Sequence, residues 1–228
     1  MNLSPTTICG VYLENKEQGS EILVQQVSQV MHAEELVSQV LRRRNISLRH
    51  GDYWSCYLAN DNQEIERPLH YQERALAIYI SLSKDDYLVV KRNHYMEAML
   101  TYIAGRLEVS RNGLINFSEK KGQRGKKTFS RRLCVLSGSS LSLYKDVKNT
   151  QPERMCPVHA LHVYYGIKKK IQPPSCWGMT VVCEQAGRDK QLWYLCCESK
   201  DELIEWMATF MCLQHKGDLW PAVSRPDS

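Results

Sequence analysis

The chemistry most plainly written in this chain is electrostatic. Between residues 120 and 132 stand seven cations, Lys120, Lys121, Arg124, Lys126, Lys127, Arg131 and Arg132, and no carboxylate. The residues on either side alternate as strands do and the middle carries glycines, so the run reads as a hairpin that presents its charges together. A single exposed ammonium is hydrated and screened within about 10 Å, whereas several converging on one place can grip a phosphate-rich surface. Taken together with the well-capped amphipathic helix that carries Trp206 about seventy residues later, the run makes an acidic membrane the expected ligand, and within it a phosphoinositide head group. Lys168, Lys169 and Lys170 either extend this patch or form an exposed turn before Pro173 and Pro174.

Other chemistry is harder to build from these residues. No nucleophile is paired with a base, no glycine-rich phosphate loop appears and no carboxylates are closely paired, so no catalytic residue is assigned and no cofactor is expected. Cys156, His159 and His162 stand at i, i+3 and i+6. On a strand, residues three apart face opposite sides, and a fourth ligand at ordinary spacing is missing, so no metal site is assigned. The nine cysteines are odd in number, form no C-x-x-C motif and follow no secretory signal, which favours a reduced, intracellular chain with buried thiols.

The charge is uneven. Residues 1–92 hold ten Lys/Arg against twelve Asp/Glu, a net of −2, and residues 93–228 hold twenty against thirteen, a net of +7. A length of 228 residues suits two modest domains, the second of them basic. No run of about 18 uncharged apolar residues occurs, so any membrane contact is peripheral. Nucleic acid is not expected, since Tyr144, Tyr164 and Tyr165 lie in strands without a regular stacking platform.

The elements that must position these residues follow from periodicity. Ile8 to Leu13 and Ile22 to Val27 read as a hairpin, and residues 33–44 as a helix with Leu36, Val37, Val40 and Leu41 on one face. Its first turn carries Glu34 and Glu35 and its last Arg42, Arg43 and Arg44, the order a helix dipole favours. Strand-like runs at 53–58 and 86–91 flank Arg67-Pro68-Leu69 and a short helical stretch from Glu73 to Ile80. Met96, Met99, Leu100, Ile103 and Leu107 then suggest a helical connector over 93–111. Six strands follow, at 114–117, 128–136, 141–146, 158–165, 178–183 and 192–197. A final helix carries Leu203, Trp206, Met207, Phe210 and Met211, with a capping box from Ser199 to Glu202 and a stop at Gly217.

Several segments carry a family resemblance. Arg131-Arg132-Leu133-Cys134-Val135-Leu136, Leu141-Ser142-Leu143-Tyr144-Lys145-Asp146 and the helix with Trp206 resemble a pleckstrin-homology (PH) domain. Glu66-Arg67-Pro68-Leu69-His70-Tyr71 and Tyr87-Leu88-Val89-Val90-Lys91-Arg92 resemble a Ras-association (RA) domain. With Tyr165-Gly166-Ile167-Lys168-Lys169-Lys170 and Trp177-Gly178, the tandem is most similar to the C-terminal end of the ARAP family, which combines Arf-GAP and Rho-GAP domains with ankyrin repeats and PH domains. The resemblance implies an α+β chain: a ubiquitin-like β-grasp RA domain over 1–92, the connector over 93–111, a PH-type β-barrel capped by a C-terminal helix over 112–217, and a tail over 218–228. GTPase-activating activity would belong to domains of a longer parent.

The resemblance also implies sites. PH domains specific for 3-phosphoinositides use a Lys in the first strand and a basic-x-Arg pair in the second; here Asn116 and Ser130 take two of those places and Arg132 keeps the third. That departure favours broad affinity for anionic lipid over tight stereospecific recognition. RA domains align their second strand with a GTP-bound Ras- or Rap-type GTPase, for which Lys16, Gln25, Arg42 and Arg43 are the candidate contacts, although the second strand also brings Glu21. The expected function is a non-catalytic signalling module, cytoplasmic and recruited peripherally to membrane. Its alternative is a protein- or phosphopeptide-binding adaptor that uses the edge of the barrel.

Overall fold

The computed structural model describes residues 7–17, 21–119, 128–187 and 189–221, with the side chain of Gln25 left out. Contacts divide the chain into two compact units, the first drawn mainly from residues before 98 and the second mainly from 98–219.

In the first unit the strands run β1 (Thr7–Leu13), β2 (Ile22–Val27), β3 (Trp54–Asn60), β4 (Ile65–Pro68) and β5 (Asp86–Arg92), with helices α1 (Ala33–Arg43) and α2 (Ala75–Ile80) between them. Their lateral order is β2-β1-β5-β3-β4. The β1–β2 hairpin is antiparallel, with Val11 opposite Ile22, while β1 and β5 are parallel, with Leu13 beside Val90. A parallel pair needs a long crossover, and the helices supply it. Helix α1 buries Leu36, Val37, Val40 and Leu41, the residues its periodicity selected, and they pack with Val11, Val24, Leu88 and Val90. Glu35 closes its N-terminus by accepting the His32 N–H at 3.0 Å. The loop after β4 is tied by Arg67, which donates to both oxygens of Glu73 at 3.0 and 2.9 Å, while Glu73 also accepts the His70 N–H at 2.7 Å.

The helical pattern expected through residue 111 is realised only over α3 (Met96–Ile103). Gly105 adopts a left-handed φ of +75°, which ends the helix, and Leu107 is fully exposed.

The second unit is an antiparallel run in the order β10-β11-β12-β6-β7-β8-β9, from β6 (Arg111–Glu119), β7 (Ser130–Ser137), β8 (Ser140–Tyr144), β9 (Arg154–Pro157), β10 (Leu161–Tyr165), β11 (Gly178–Cys183) and β12 (Gln191–Cys196). The expected strand over 158–165 divides into a one-turn 3₁₀ helix at Val158–Ala160 and β10, and the strand β9 just before it was not expected. Four residues ending in proline carry little strand signal, but β9 pairs only with β8 at the rim of the sheet, where proline is tolerated.

Helix α4 (Lys200–Gln214) closes the unit. The Ser199 hydroxyl accepts the Glu202 N–H at 3.1 Å as expected, but the reciprocal half of the capping box is displaced by one residue: Glu202 accepts from the N–H of Glu198 at 2.8 Å. Burial extends beyond the expected stripe to Ile204, Ala208, Thr209 and Cys212, so the helix is enclosed on most sides. Trp206 is fully buried against Phe210, with the Arg111 guanidinium 5.0 Å from its ring centre. Gly217, at φ +93°, returns its N–H to the Cys212 carbonyl at 2.7 Å and stops the helix.

The expectation that every thiol is reduced is corrected at one pair. Cys156 at the end of β9 and Cys183 at the end of β11 form a disulfide, with Cα atoms 6.3 Å apart. The pairing requires the register of two strands, one of them β9, and cysteine spacing alone does not show it. Of the seven remaining cysteines six are buried and Cys176 is exposed. Burial pushes the Cys56 thiol up to about 12. Among the described residues no helix is long and apolar enough to cross a membrane.

Candidate functional site

The expected lipid-binding cations divide into two groups. Lys120, Lys121, Arg124, Lys126 and Lys127 lie outside the described residues, on the connection between β6 and β7. Arg131 and Arg132 begin β7, and because side chains alternate along a strand they diverge. Arg131 is exposed and meets Glu198 at 3.1 Å. Arg132 shares the face of β7 that carries the buried Cys134 and Leu136, and its Nε donates to Glu153 at 2.8 Å. Ser130, on the same face, offers no charge.

Two strands supply partners that reading the sequence missed. Arg154 of β9 lies on the same face as the buried Cys156, and Glu119 of β6 on that of Ile115 and Phe117. The Arg154 guanidinium donates from Nε and Nη2 to the two carboxylate oxygens of Glu119, both at 2.9 Å. These bonds to Glu119 hold the guanidinium pKa above its ordinary value despite some desolvation. Arg132, Glu153, Arg154 and Glu119 therefore form two ion pairs around the strand ends from which the basic connection leaves. The signal that would have revealed them is the register of β9, which places Arg154 opposite Leu143 and two residues before Cys156. Lys169 and Lys170 are exposed in a 3₁₀ turn (Lys169–Ile171), where Ile167 and Ile171 pack with Tyr194, Cys196 and Phe129. The turn thus stands beside the start of β7. Among the described residues no group of His, Cys, Asp and Glu is arranged to hold a metal, and His159 and His162 lie apart from the Cys156–Cys183 bridge in role, one in the turn after β9 and the other in β10.

In the first unit β2 is an outer strand, and the candidate contacts are not all gathered on it: Gln25 and Arg43 belong to its surroundings, whereas Lys16 turns towards β5 and the end of β3. Lys16 sits 3.8 Å from Asp61 and 4.7 Å from the centre of the Tyr87 ring. The Tyr87 hydroxyl donates to Asp61 at 2.6 Å, and burial together with that carboxylate pushes its pKa up. Arg42 is exposed in the last turn of α1. Arg43 donates to the Leu23 carbonyl at 2.5 Å, so it secures β2 to the end of the helix. Gln25 lies in β2. Alternation exposes two apolar side chains missed in the sequence, Ile8 at 53% and Leu23 at 54%, on the face opposite Cys9, Val11, Ile22 and Val24. Gly10 stands opposite Leu23, with the exposed Glu21 carboxylate lying over its Cα.

A β-grasp sheet followed by an antiparallel barrel with one closing helix has clear relatives. Residues 5–95 match the Ras association (RalGDS/AF-6) domain family and residues 109–212 match the PH domain family. The chain is an RA–PH tandem of the ARAP type. Its homologues include the Arf-GAP with Rho-GAP domain, ANK repeat and PH domain-containing protein 2 of Mus musculus, 36% identical over 94% of this chain and 12% of the relative. The human protein 3 of the same name is 31% identical over 97% of this chain and 14% of the relative. The tandem thus spans 12–14% of the length of these relatives. A solved structure of the coiled-coil, RA and PH domains of Lamellipodin shares the fold, with a TM-score of 0.71 over 93% of this chain and 88% of that one at 13% identity. RA and PH domains are non-catalytic modules, and the tandem is a signalling module of the kind these relatives contain.

Proposed function

We propose that the tandem binds phosphoinositide-containing membrane through its PH domain and a GTP-bound Ras- or Rap-type GTPase through its RA domain. The observation that carries this reading is the run of basic residues on the connection between β6 and β7, joined to a PH barrel. Each Lys or Arg near an acidic leaflet contributes about 1 kcal/mol, so half of the seven supply about 3–4 kcal/mol, a millimolar interaction. A second contact is needed, and the outer strand of the RA domain supplies a surface for it. Leu23 and Ile8 present apolar area beside an outer backbone edge, which suits strand addition. Tethering the two raises the effective concentration at the second site, so weak contacts become useful avidity. The module works at the cytosolic face of a membrane, held peripherally, and any GTPase-activating chemistry resides in other domains of a longer parent.

Binding to phosphoinositide vesicles with and without membrane-tethered GTP-loaded GTPase tests this: more than additive binding is expected, and strictly additive binding would reject it. One observation favours the adaptor reading, in which the barrel binds a protein or phosphopeptide: Arg131, Arg132 and Arg154, the described guanidiniums at the strand ends, already meet carboxylates. Peptide capture with no vesicle binding would establish that alternative.

A further inference from the structure

The two ion pairs at the strand ends are within reach of solvent. Glu153 is 39% exposed and its partner Arg132 23%, while Arg154 is 37% exposed and Glu119 17%. Each pair keeps one partner more than a third exposed, so water screens part of its strength. Their geometry is nevertheless well formed. Glu119 takes Arg154 through two parallel bonds, the fork arrangement that guanidinium also makes with phosphate, and Glu153 takes the Nε of the one cation that matches a PH phosphate-gripping position. These carboxylates occupy the donors that a head group entering between the strand ends would use.

We infer that Glu119 and Glu153 are built-in competitors of the anionic ligand and set the charge it must carry to bind. The inference rests on the lipid reading given above and goes beyond it by naming what determines specificity. A monovalent lipid phosphate offers an arginine about what a carboxylate already offers, so exchange brings no gain. A phosphorylated inositol carries dianionic monoesters and displaces the carboxylate. The pairs therefore lower affinity for general acidic lipid more than for a multiply phosphorylated head group. The chemistry selected is a compact cluster of phosphate monoesters.

The test uses the full chain, with vesicles of phosphatidylcholine containing either phosphatidylserine or phosphatidylinositol bisphosphate, and soluble inositol trisphosphate by calorimetry. The lead variant is Glu153→Gln, whose site is the most exposed of the four; Glu119→Gln is the second, and circular dichroism confirms that each is folded. Removing one competing charge is expected to raise affinity about fivefold for the bisphosphate vesicles and for soluble trisphosphate, and to narrow the preference over phosphatidylserine. Most of the gain from Glu153→Gln is expected to be lost when Arg132→Gln is also present, because the guanidinium that Glu153 accepts from is then gone and only its weaker pull on Arg154 remains. A gain that persists largely intact without Arg132, or one confined to vesicles, is a general charge effect and overturns the inference. So does unchanged or weaker binding by both variants while the native chain binds, an outcome that leaves the lipid reading standing. Binding of neither probe by any form overturns both.

Discussion

The strand ends of the PH domain and the outer strand of the RA domain occupy their polar groups in different ways. At the first, cations meet carboxylates: Arg132 with Glu153 and Arg154 with Glu119. At the second, a cation meets backbone, Arg43 on the Leu23 carbonyl, and apolar side chains stand exposed beside it. An incoming anion must therefore compete with charge, whereas an incoming strand has to displace one guanidinium and then gains hydrogen bonds and apolar contact. On the proposed reading the PH region would discriminate between ligands by charge, and the RA region by shape and pairing.

The largest expected effect separates the two regions outright. Trp206→Ala removes the centre of the helix that closes the PH domain and should cost about 3–5 kcal/mol. Urea unfolding followed by circular dichroism should lose the PH transition at low denaturant while RA-dependent GTPase binding persists. A variant with native stability would contradict the placement of Trp206. The disulfide comes next. Its cysteines are 27 residues apart, a loop whose closure stabilises the chain by about 3.5 kcal/mol, so reductant should lower the melting temperature. Titration of the unfolded, unreduced chain should find the seven free thiols that the structure leaves, and nine would show that the bond is absent.

A smaller effect sharpens the RA side. Leu23→Asp places a charge on an exposed face, so stability should change by no more than about 0.5 kcal/mol, while GTPase binding should fall by about tenfold or more. Unchanged binding would remove the outer strand from the interface. Smallest is the pair on the β11–β12 loop. Lys190 bonds to Glu184 and holds its carboxyl below the ordinary value, against a smaller opposing effect of desolvation. The stability this contributes is present above the unfolded carboxylate pKa and is lost as pH falls through the lower folded value. Both side chains are about half exposed, so it amounts to no more than about 0.5 kcal/mol. Lys190→Gln should abolish that part of the acid dependence of the melting temperature.

Much of the fold was legible because local pattern and burial agree. Leu36, Val37, Val40 and Leu41 repeat with helical period and are buried, and the strand expected over 178–183 is found at Gly178–Cys183. The site was less legible, for a physical reason. Charged residues announce themselves along the chain, but their neutralisation depends on pairing between strands. Arg132 and Glu153 are 21 residues apart and Arg154 and Glu119 are 35 apart, and only the register of β6, β7 and β9 brings them together. The strand that completes this arrangement ends in Pro157 and spans only Arg154–Pro157, so it gave no signal of its own. The exposure of Leu23 was hidden likewise, because alternation does not say which face of a hairpin is covered.

The proposed reading has the basic run between β6 and β7 meet phosphates on a bilayer. Co-sedimentation with vesicles of increasing phosphoinositide content, comparing the native chain with a Lys126→Gln, Lys127→Gln, Arg132→Gln triple variant, tests it most directly. Loss of three contacts should weaken binding about 100-fold and flatten its salt dependence. Equal binding by the two proteins would contradict the account.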